Sequence, residues 1–542
     1  MDAPQSGPPP PPLRRIATLT WIERVLVLLL TATVLLFVAM RATHAGALWR
    51  DEAATVQLAQ MPRISDVAAN FQHEAFPIPF PILVRAYAGI FGGTDASLRW
   101  FGFVVGLGIV TAAWFNSRRI GDRGPVLFLA LFCLNATFLS WGTSVRGYGI
   151  GSLFVVLTIG FTAKAIRNPT LANAIAATVA SVGAVQFMIN GLPLIAAIAG
   201  SAILAFLFEK QFRRAAIVCM CGGICALSFL PYLHSYLSAD WNIVLKYPTD
   251  FISLWDKFHV ALREHSIVAA ILWYTAIPVA LVAAGGQWLK LRRQKSADAP
   301  VLLFLVIASV LSILVYYYFL KILSYATRPW YYLPLLAALA GAIDLISGIL
   351  SRVEWFRIAR ICFTAIALVF LPFQLWSVSR ERMTDIDVLA QKLERDAAQN
   401  DLVVVNPWHF APSFYRYYHG AAPWITVPVM SEHRVHRYDL MKAKMIEPDP
   451  LSDVRSAIQR TLQSGQRVWI VGGARPLDPN MPRLGPAPNP YFGWAGYMSY
   501  WSMEIGSFLN QHAANGRVVI PPMPDVNEGE NVPLLVAEGW KE

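Results

Sequence analysis

The chain has 542 residues, of which 56% are hydrophobic and only 15% are charged, and its mean hydropathy is +0.45. Soluble globular domains carry about 25% charged residues, so this composition excludes an ordinary soluble protein. The formal net charge of +11 does not indicate nucleic-acid binding, because the surplus of Lys and Arg falls in short segments between apolar runs. That placement is typical of the cytoplasmic loops of a membrane protein.

Residues 1–19 are rich in proline and predict a disordered cytoplasmic tail. Residues 20–379 predict a membrane domain of about 11 transmembrane helices. Each basic cluster lies between two apolar runs, and successive clusters are separated by two runs. This alternation predicts that the N-terminus lies in the cytoplasm and the C-terminus outside. A cleaved signal peptide is the alternative for the first run, although Trp49-Arg50-Asp51 is a poor cleavage site. The predicted spans are 20–40, 98–117, 125–142, 148–166, 171–189, 191–208, 215–233, 266–288, 300–320, 331–350 and 358–378.

The first outer loop, residues 41–97, is the longest loop of the membrane domain. Glu52–Gln60 has helical spacing with its apolar residues on one side, which predicts a helix lying flat on the membrane. Three prolines within residues 76–81 block a regular helix start, and residues 82–91 predict a short apolar helix.

Residues 380–542 predict a soluble α/β domain that faces outside. Asp387–Gln399 is an amphipathic helix by pattern, and Leu402–Val405, Arg467–Val471 and Arg517–Ile520 are short β-branched runs typical of strands. Two aromatic stretches, residues 408–418 and 491–501, are compatible with stacking on sugar rings, with resting on the membrane interface, or with core packing.

The adjacent acids Asp51 and Glu52 follow the first apolar run directly. Charge so close to hydrocarbon is costly and is more often functional than accidental. A carboxylate at the outer face can act as a general base for a hydroxyl group. The competing interpretation is a helix cap, which needs no catalysis.

Cations in the outer loops are candidates for binding a phosphate group, because arginine matches phosphate oxygens with its planar fork. They are Arg146, Lys321 and Arg328. An interfacial side chain that reaches out to water remains open for Arg146, and a boundary anchor for Arg328. Glu74 and His73 are further outer-loop candidates, with a solvated loop acid and a structural histidine as the alternatives.

The sequence shows no metal-ligand spacing, no Gly-rich phosphate loop and no nucleophile elbow. Cys221 and Cys225 are four residues apart and are compatible with either a metal pair or small core residues. No cofactor is predicted with certainty, and a divalent metal is left open.

Three segments resemble motifs of the GT-C glycosyltransferases, in particular the bacterial dolichyl-phosphate-mannose-protein mannosyltransferase-like branch, which includes aminoarabinose and lipopolysaccharide-core sugar transferases. Leu48–Ala53 resembles their first-loop acidic motif, Ser144–Tyr148 their Ala-Arg-x-Tyr turn, and Arg328–Pro334 their late Arg-Tyr-x-x-Pro segment. The chain departs from the family at the His-Pro-Pro-Leu motif, because Phe76 takes the place of the histidine.

This resemblance implies a polytopic GT-C fold with a C-terminal extracytoplasmic α/β domain, and an inverting sugar transfer at the outer face of the cytoplasmic membrane. The donor would be a polyprenyl-phosphate sugar, and the acceptor a lipid, a glycan or a protein. Asp51 maps onto the catalytic acid with Glu52 beside it, and Arg146 and Arg328 map onto donor-phosphate contacts. Tyr148 and Tyr331 lie in the same two motifs and are predicted to bind substrate.

Two other classes of function remain open on the sequence. One is a transporter or flippase of lipid-linked sugars that uses Asp51 in proton coupling. The other is an inactive scaffold whose outer domain binds glycans or partners. A transporter should carry ionisable groups in the middle of its spans. Acids are nearly absent there, with Asp344 as the main exception, which favours the enzyme.

Overall fold

The computed structural model describes residues 11–74, 76–121, 123–238, 249–264, 266–324, 327–487 and 493–542. The chain is helical up to Arg380 and then forms a smaller domain built on one β-sheet. The first helix already begins at Pro11, so residues 11–19 belong to it and not to the predicted tail. Residues 1–10 lie outside the described residues.

The helices of the membrane part vary from three residues to more than thirty. They are α1 Pro11–His44, α2 Arg50–Ala59, α3 Ile64–Asn70, α4 Pro79–Phe91, α5 Asp95–Ile120, α6 Val126–Phe128, α7 Gly147–Arg167, α8 Leu171–Phe187, α9 Leu192–Phe208, α10 Phe212–Ser238, α11 Phe251–Arg263, α12 Ile267–Arg293, α13 Asp298–Leu323, α14 Leu333–Leu350 and α15 Glu354–Arg380. Short 3₁₀ turns cover Phe71–Glu74, Ile189–Gly191 and Pro329–Tyr332, and π-helical turns cover Leu129–Cys133 and Phe138–Gly142.

Within the described residues, nine helices are long and apolar enough to cross a membrane. They confirm a polytopic helical membrane protein, with two differences from the predicted spans. The run 125–142 is broken at Leu134 and Asn135, where the Asn135 amide donates to the carbonyls of Ala261 and Leu262. The run 171–189 gives α8, whose 17 residues extend only about 26 Å, less than a typical hydrocarbon core.

The centre of the membrane domain is α14, whose residues are all buried. Small residues let its neighbours approach closely: a Cβ added to Gly348 would lie 3.1 Å from the Cα of Gly121. The one acid of α14, Asp344, accepts hydrogen bonds from the backbone N–H groups of Leu127 and Phe128 and from the hydroxyl of Ser117. Asp344 therefore satisfies the start of α6, which accounts for an acid inside a span without a transport role.

The C-terminal domain has a five-stranded sheet in the order β2-β1-β3-β5-β4. Strands β1, β2 and β3 are parallel, with Val404 opposite both Ile425 and Ile470, while β5 runs antiparallel to β3 and β4 antiparallel to β5. The strands are β1 Leu402–Asn406, β2 Trp424–Thr426, β3 Val468–Gly472, β4 Ala513–Ile520 and β5 Leu534–Trp540, and the helices are α16 Ile386–Asp396, α17 Ala411–Tyr417, α18 Tyr438–Ile446, α19 Ser452–Gln463 and α20 Trp494–His512.

The three predicted strands are present, and β1 and β3 are fully buried, as apolar parallel strands covered on both faces should be. From the aromatic stretches, Trp408, Phe414 and Trp501 are buried in the hydrophobic clusters of the domain. Core packing is therefore the correct interpretation for these three side chains. Residues 491 and 492 of the second stretch lie outside the described residues.

Helix α2 does not lie on a free membrane surface, so that expectation was wrong. Its residues Glu52–Val56 are buried, and Gln57 donates to the carbonyl of Pro412 at 3.0 Å. The C-terminal domain therefore packs directly on α2. The apolar side of the helix is covered by protein, which removes the reason for it to seek the lipid interface.

The close approach of α7 to the π-helical turn 138–142 depends on Gly149. A Cβ at this position would lie 1.9 Å from the carbonyl oxygen of Gly142. We expect Gly149→Ala to lower the free energy of unfolding by about 1–3 kcal/mol, because backbone atoms must move apart. Thermal unfolding in detergent measures this. Gly285→Ala is the matched control, since no atom lies within 4 Å of its added Cβ. Equal melting temperatures for the two variants would contradict the expectation.

Candidate active site

Asp51 lies in the first turn of α2 but does not cap it. The helix begins at Arg50 after Trp49, whose backbone N–H donates to Glu52 Oε2 at 3.3 Å. The backbone N–H of Arg50 donates to Glu530 of the C-terminal domain at 2.9 Å. The cap interpretation therefore applies to Glu52 and Glu530. The Asp51 carboxylate is left for other contacts, with 18% of its side chain exposed.

Glu52 is completely enclosed and hydrogen-bonded on both oxygens. Its Oε1 lies 2.6 Å from Nη1 of Arg99 and accepts the backbone N–H of Val145 at 2.8 Å. Arg99 also donates to the carbonyls of Gly46 and Ala47. Glu52 thus ties the loop after α1 to α5 and to the turn before α7. This geometry favours a positioning role for Glu52 and no direct part in catalysis.

Arg146 is buried and directed at the two other acids of the first loop. Its Nη1 donates to Glu74 Oε2 at 2.8 Å and to Thr55 Oγ1 at 2.7 Å, and its Nη2 lies 3.9 Å from Asp51 Oδ2. The guanidinium carbon is 4.5 Å from the ring centroid of Phe76, a cation–π contact. Arg146 is therefore part of the carboxylate cluster, and the side chain that reaches out to water is not observed.

The surrounding groups keep Asp51 and Glu74 ionised. Burial of Asp51 disfavours its charged form, but the positive charges of Arg146 and Arg50 outweigh burial and hold the pKa of Asp51 below its ordinary value. Burial acts in the same way on Glu74, and there His436 and Arg146 lower the pKa below its ordinary value. Both acids are therefore carboxylates at neutral pH.

His436 of the C-terminal domain completes the cluster, and sequence reasoning missed it. Its Nδ1 is 2.9 Å from Glu74 Oε1, and its Nε2 is 3.8 Å from Asp51 Oδ1. Tyr438 stacks beside His436 with ring centroids 6.1 Å apart, and burial raises the pKa of Tyr438. The partners Glu74 and His436 are 362 residues apart. No local pattern signals the pair, because only docking of the domain brings them together.

The remaining predicted site residues divide into two groups. The ring centroid of Tyr148 is 5.5 Å from that of Phe76, which packs on Arg146, and 6.5 Å from that of Tyr331, so both tyrosines lie beside the cluster. Arg328 is exposed and lies in the last outer loop, three residues before Tyr331. Burial lowers the pKa of nearby His409 well below its ordinary value, with the charge of Arg50 acting in the same direction.

The other two residues make their contacts elsewhere. Lys321 donates to the carbonyl of Thr249 at the start of α11, and no contact within the described residues joins it to Asp51. His73 Nδ1 lies 4.0 Å from Asp439 Oδ1, which directs it at the C-terminal domain. The structure thus brings Asp51, Glu74, Arg146, Tyr148 and Tyr331 together and places Lys321 and His73 apart from them, while Arg328 is exposed in the loop that carries Tyr331.

The question of a metal was left open by the sequence. Among the described residues, no group of three or more His, Cys, Asp or Glu side chains is placed to hold a metal ion. Cys225 is buried with its Sγ 3.4 Å from the carbonyl oxygen of Ser181, which favours the core interpretation for this cysteine.

Comparison with known proteins finds similarity in the fold alone. The chain resembles the apo structure of ArnT from Cupriavidus metallidurans with a TM-score of 0.53 and 11% identity, over 82% of this chain and 92% of that one. The structure of the same protein bound to undecaprenyl phosphate gives a TM-score of 0.50 with the same identity and coverage. No family model and no curated protein matches the sequence. The expected architecture, a polytopic helical domain followed by a sheet domain, is confirmed, and the chain shares the fold of these two structures.

Glu530 links the C-terminal domain to α2 and makes the stability of the protein depend on pH. It is fully enclosed between the backbone N–H of Arg50 and the hydroxyl of Ser413, at 2.9 and 2.5 Å. Burial raises the pKa of Glu530 to about 8 and that of neighbouring Asp385 to about 7. The folded state therefore binds protons more tightly than the unfolded chain, so stability is highest below the unfolded pKa and is lost as pH rises through the folded pKa.

We expect the melting temperature to fall between about pH 5.5 and about pH 8.5, with a slope of at most ~1.4 kcal/mol per pH unit from each group. Glu530→Gln should flatten this dependence, because the amide cannot ionise. The matched control is Glu528→Gln, which changes an exposed acid two residues away. Thermal unfolding at the two pH values measures the effect, and the same slope in both variants would exclude Glu530 as its source.

Proposed function

We propose that the protein is an integral membrane glycosyltransferase, a mannosyltransferase-like enzyme of the cell envelope. It transfers a sugar from a polyprenyl-phosphate donor to a lipid, glycan or protein acceptor at the outer face of the cytoplasmic membrane. The observation that carries the proposal is an ionised, partly exposed Asp51 at the end of the first span, surrounded by cations. The fold it shares with ArnT, which has been solved bound to undecaprenyl phosphate, supports the donor class.

Asp51 has the properties of a base for an acceptor hydroxyl. Its neighbours hold it as a carboxylate, and unlike Glu52 it has no hydrogen bond from a backbone N–H group within the described residues. The acceptor oxygen attacks the anomeric carbon while the bond from that carbon to the phosphate oxygen breaks. The hydroxyl proton passes to Asp51, and attack opposite the leaving phosphate inverts the configuration.

The leaving phosphate needs positive charge, and the two arginines are suited to different parts of that task. Arg146 is already bound to Glu74 and sets the charge around Asp51. Arg328 is exposed and forms no ion pair with the acids that the structure describes. We therefore assign the donor phosphate mainly to Arg328, with Tyr331 and Tyr148 beside it.

The proposed topology has its N-terminus in the cytoplasm and the C-terminal domain outside. The basic last turns of α5, α7 and α12 support this orientation, because they lie at the end of the bundle opposite to the Asp51 loop. The end of α15 at Arg380 supports the proposed domain boundary near residue 380.

Asp51→Asn should reduce the turnover number for sugar transfer by about 10²–10⁴-fold, because the amide cannot accept the hydroxyl proton. The measurement is transfer of a radiolabelled sugar from a polyprenyl-phosphate donor by the purified protein. Asp66→Asn, in the same loop but bonded only to the backbone of Arg63, is the matched control and should retain wild-type turnover. Unchanged turnover in Asp51→Asn would remove Asp51 as the base.

Arg328→Gln should weaken the use of the donor by about 10–100-fold in kcat/KM, because a charge-assisted contact to the phosphate of about 1.5–3 kcal/mol is lost. The loss should become smaller as salt is raised, since salt also screens the wild-type contact. Arg352→Gln, which removes an arginine bonded to Asp298, is the control for loss of one positive charge. A loss of the same size in both variants would exclude a specific contact between Arg328 and the donor.

A further inference from the structure

The C-terminal domain places one imidazole between the buried carboxylate of Glu74 and the partly exposed carboxylate of Asp51. Besides its contact with Nδ1 of His436, Glu74 Oε1 accepts the backbone N–H of His436 at 3.0 Å. The ring is buried and packs edge-on against Trp408, with centroids 6.1 Å apart. His436 is therefore held firmly, and its second nitrogen is directed at Asp51.

Glu74 determines which ring nitrogen carries a hydrogen atom. An ionised carboxylate only accepts hydrogen bonds, so the nitrogen that faces Glu74 must be the donor. Nδ1 of His436 thus keeps its hydrogen, and Nε2 is the atom at which the ring gains or loses a proton. That atom is 3.8 Å from Asp51 Oδ1, a separation that a small side-chain rotation closes to a hydrogen bond.

The charged groups that face the ring balance one another. From the membrane domain, the anions Asp51 and Glu74 and the cations Arg50 and Arg146 approach the ring, so their charges balance. The neighbours from the C-terminal domain, His409 and Tyr438, are neutral. Burial lowers the pKa of His409 well below its ordinary value and raises the pKa of Tyr438.

We propose that His436 is the proton acceptor behind Asp51 in the transfer reaction, a role that rests on the proposed glycosyltransferase function. The acceptor O–H bond breaks as its oxygen bonds to the anomeric carbon, and the phosphate oxygen leaves with the electron pair. Asp51 receives the proton and passes it to Nε2 of His436, while the Nδ1–H group of His436 stays hydrogen-bonded to Glu74. Asp51 returns to the carboxylate form, and the imidazolium releases its proton to water.

This relay explains why a weakly basic carboxylate can serve as the base. The cations around Asp51 keep it ionised, and for the same reason it holds a proton poorly. An imidazole at the next position is the better proton store, because histidine changes charge near neutral pH. The C-terminal domain would then be part of the catalytic site in every turnover.

The first test needs no substrate. Nuclear magnetic resonance of ¹⁵N-histidine-labelled full-length protein in lipid nanodiscs reports the tautomer and protonation midpoint of His436, which His436→Asn identifies by removing its signals. We expect the neutral ring to carry its hydrogen on Nδ1, and Asp51→Asn to lower the midpoint, because a neighbouring negative charge is lost. A neutral ring protonated on Nε2, or a midpoint that Asp51→Asn leaves unchanged, overturns the proposal.

The second test separates a proton acceptor from a positioning residue. His436→Asn keeps an amide N–H for Glu74 but has no proton-accepting atom at the place of Nε2. We expect kcat to fall about 10²–10⁴-fold with KM for the donor unchanged, and the acidic limb of the pH–rate profile to disappear. His419→Asn changes an exposed histidine of the same domain and should behave as wild type. Wild-type kcat and an unchanged pH profile in His436→Asn would show a merely structural role.

The two tests fail in distinguishable ways. If the wild-type protein transfers no sugar from any polyprenyl-phosphate donor, the proposed function fails, and the role of His436 in that reaction fails with it. The magnetic-resonance result still decides whether Asp51 and His436 share a proton. If the wild type is active but His436→Asn is too, with the same melting temperature and pH profile, only the relay fails.

Discussion

The first outer loop brings three carboxylates close together, and the need to compensate their charge sets the structure around them. An uncompensated buried charge costs several kcal/mol, so each acid needs a cation. Glu52 is paired with Arg99 at 2.6 Å and Glu74 with Arg146 at 2.8 Å. Asp51 has only longer contacts, at 3.3 Å to Arg50 and 3.9 Å to Arg146. Of the three acids, Asp51 is therefore the one whose charge is available to a substrate.

Each of these ion pairs also joins separate elements of the fold. Arg99 belongs to α5 and Arg146 precedes α7, so the loop after α1 is held by two spans that lie far from it in sequence. The C-terminal domain contacts both ends of α2 in the same loop. Glu530 accepts the backbone N–H of Arg50 at the start of the helix, and the carbonyl of Pro412 accepts a hydrogen bond from Gln57 near its end. The position of Asp51 thus depends both on α5 and α7 and on the C-terminal domain, so both parts of the chain are needed to form the site.

The sequence was a good guide to what depends on composition and a poor one to what depends on docking. Apolar runs located nine of the spans but not the break at Asn135 or the shortness of α8, because hydropathy measures composition and not helical continuity or length. The acids and Arg146 were found because charge near hydrocarbon is rare. The different roles of Asp51 and Glu52 were not separable, since adjacent helical residues point about 100° apart and only the packed structure shows which one faces Arg99. His436 had no local signal at all.

Phe76, which stands where the family motif has a histidine, also shows how the site depends on docking of the C-terminal domain. The family motif that this segment resembles has a histidine there, and here the ring of Phe76 lies against the guanidinium of Arg146. An aromatic face attracts the cation without competing for Glu74, which leaves both carboxylate oxygens of Glu74 for other partners. His73, next to Glu74 in sequence, is directed at Asp439, and the imidazole that reaches Glu74 is that of His436. The histidine missing at position 76 is thus matched by His436 from the C-terminal domain, so the carboxylate cluster is completed only when that domain is docked.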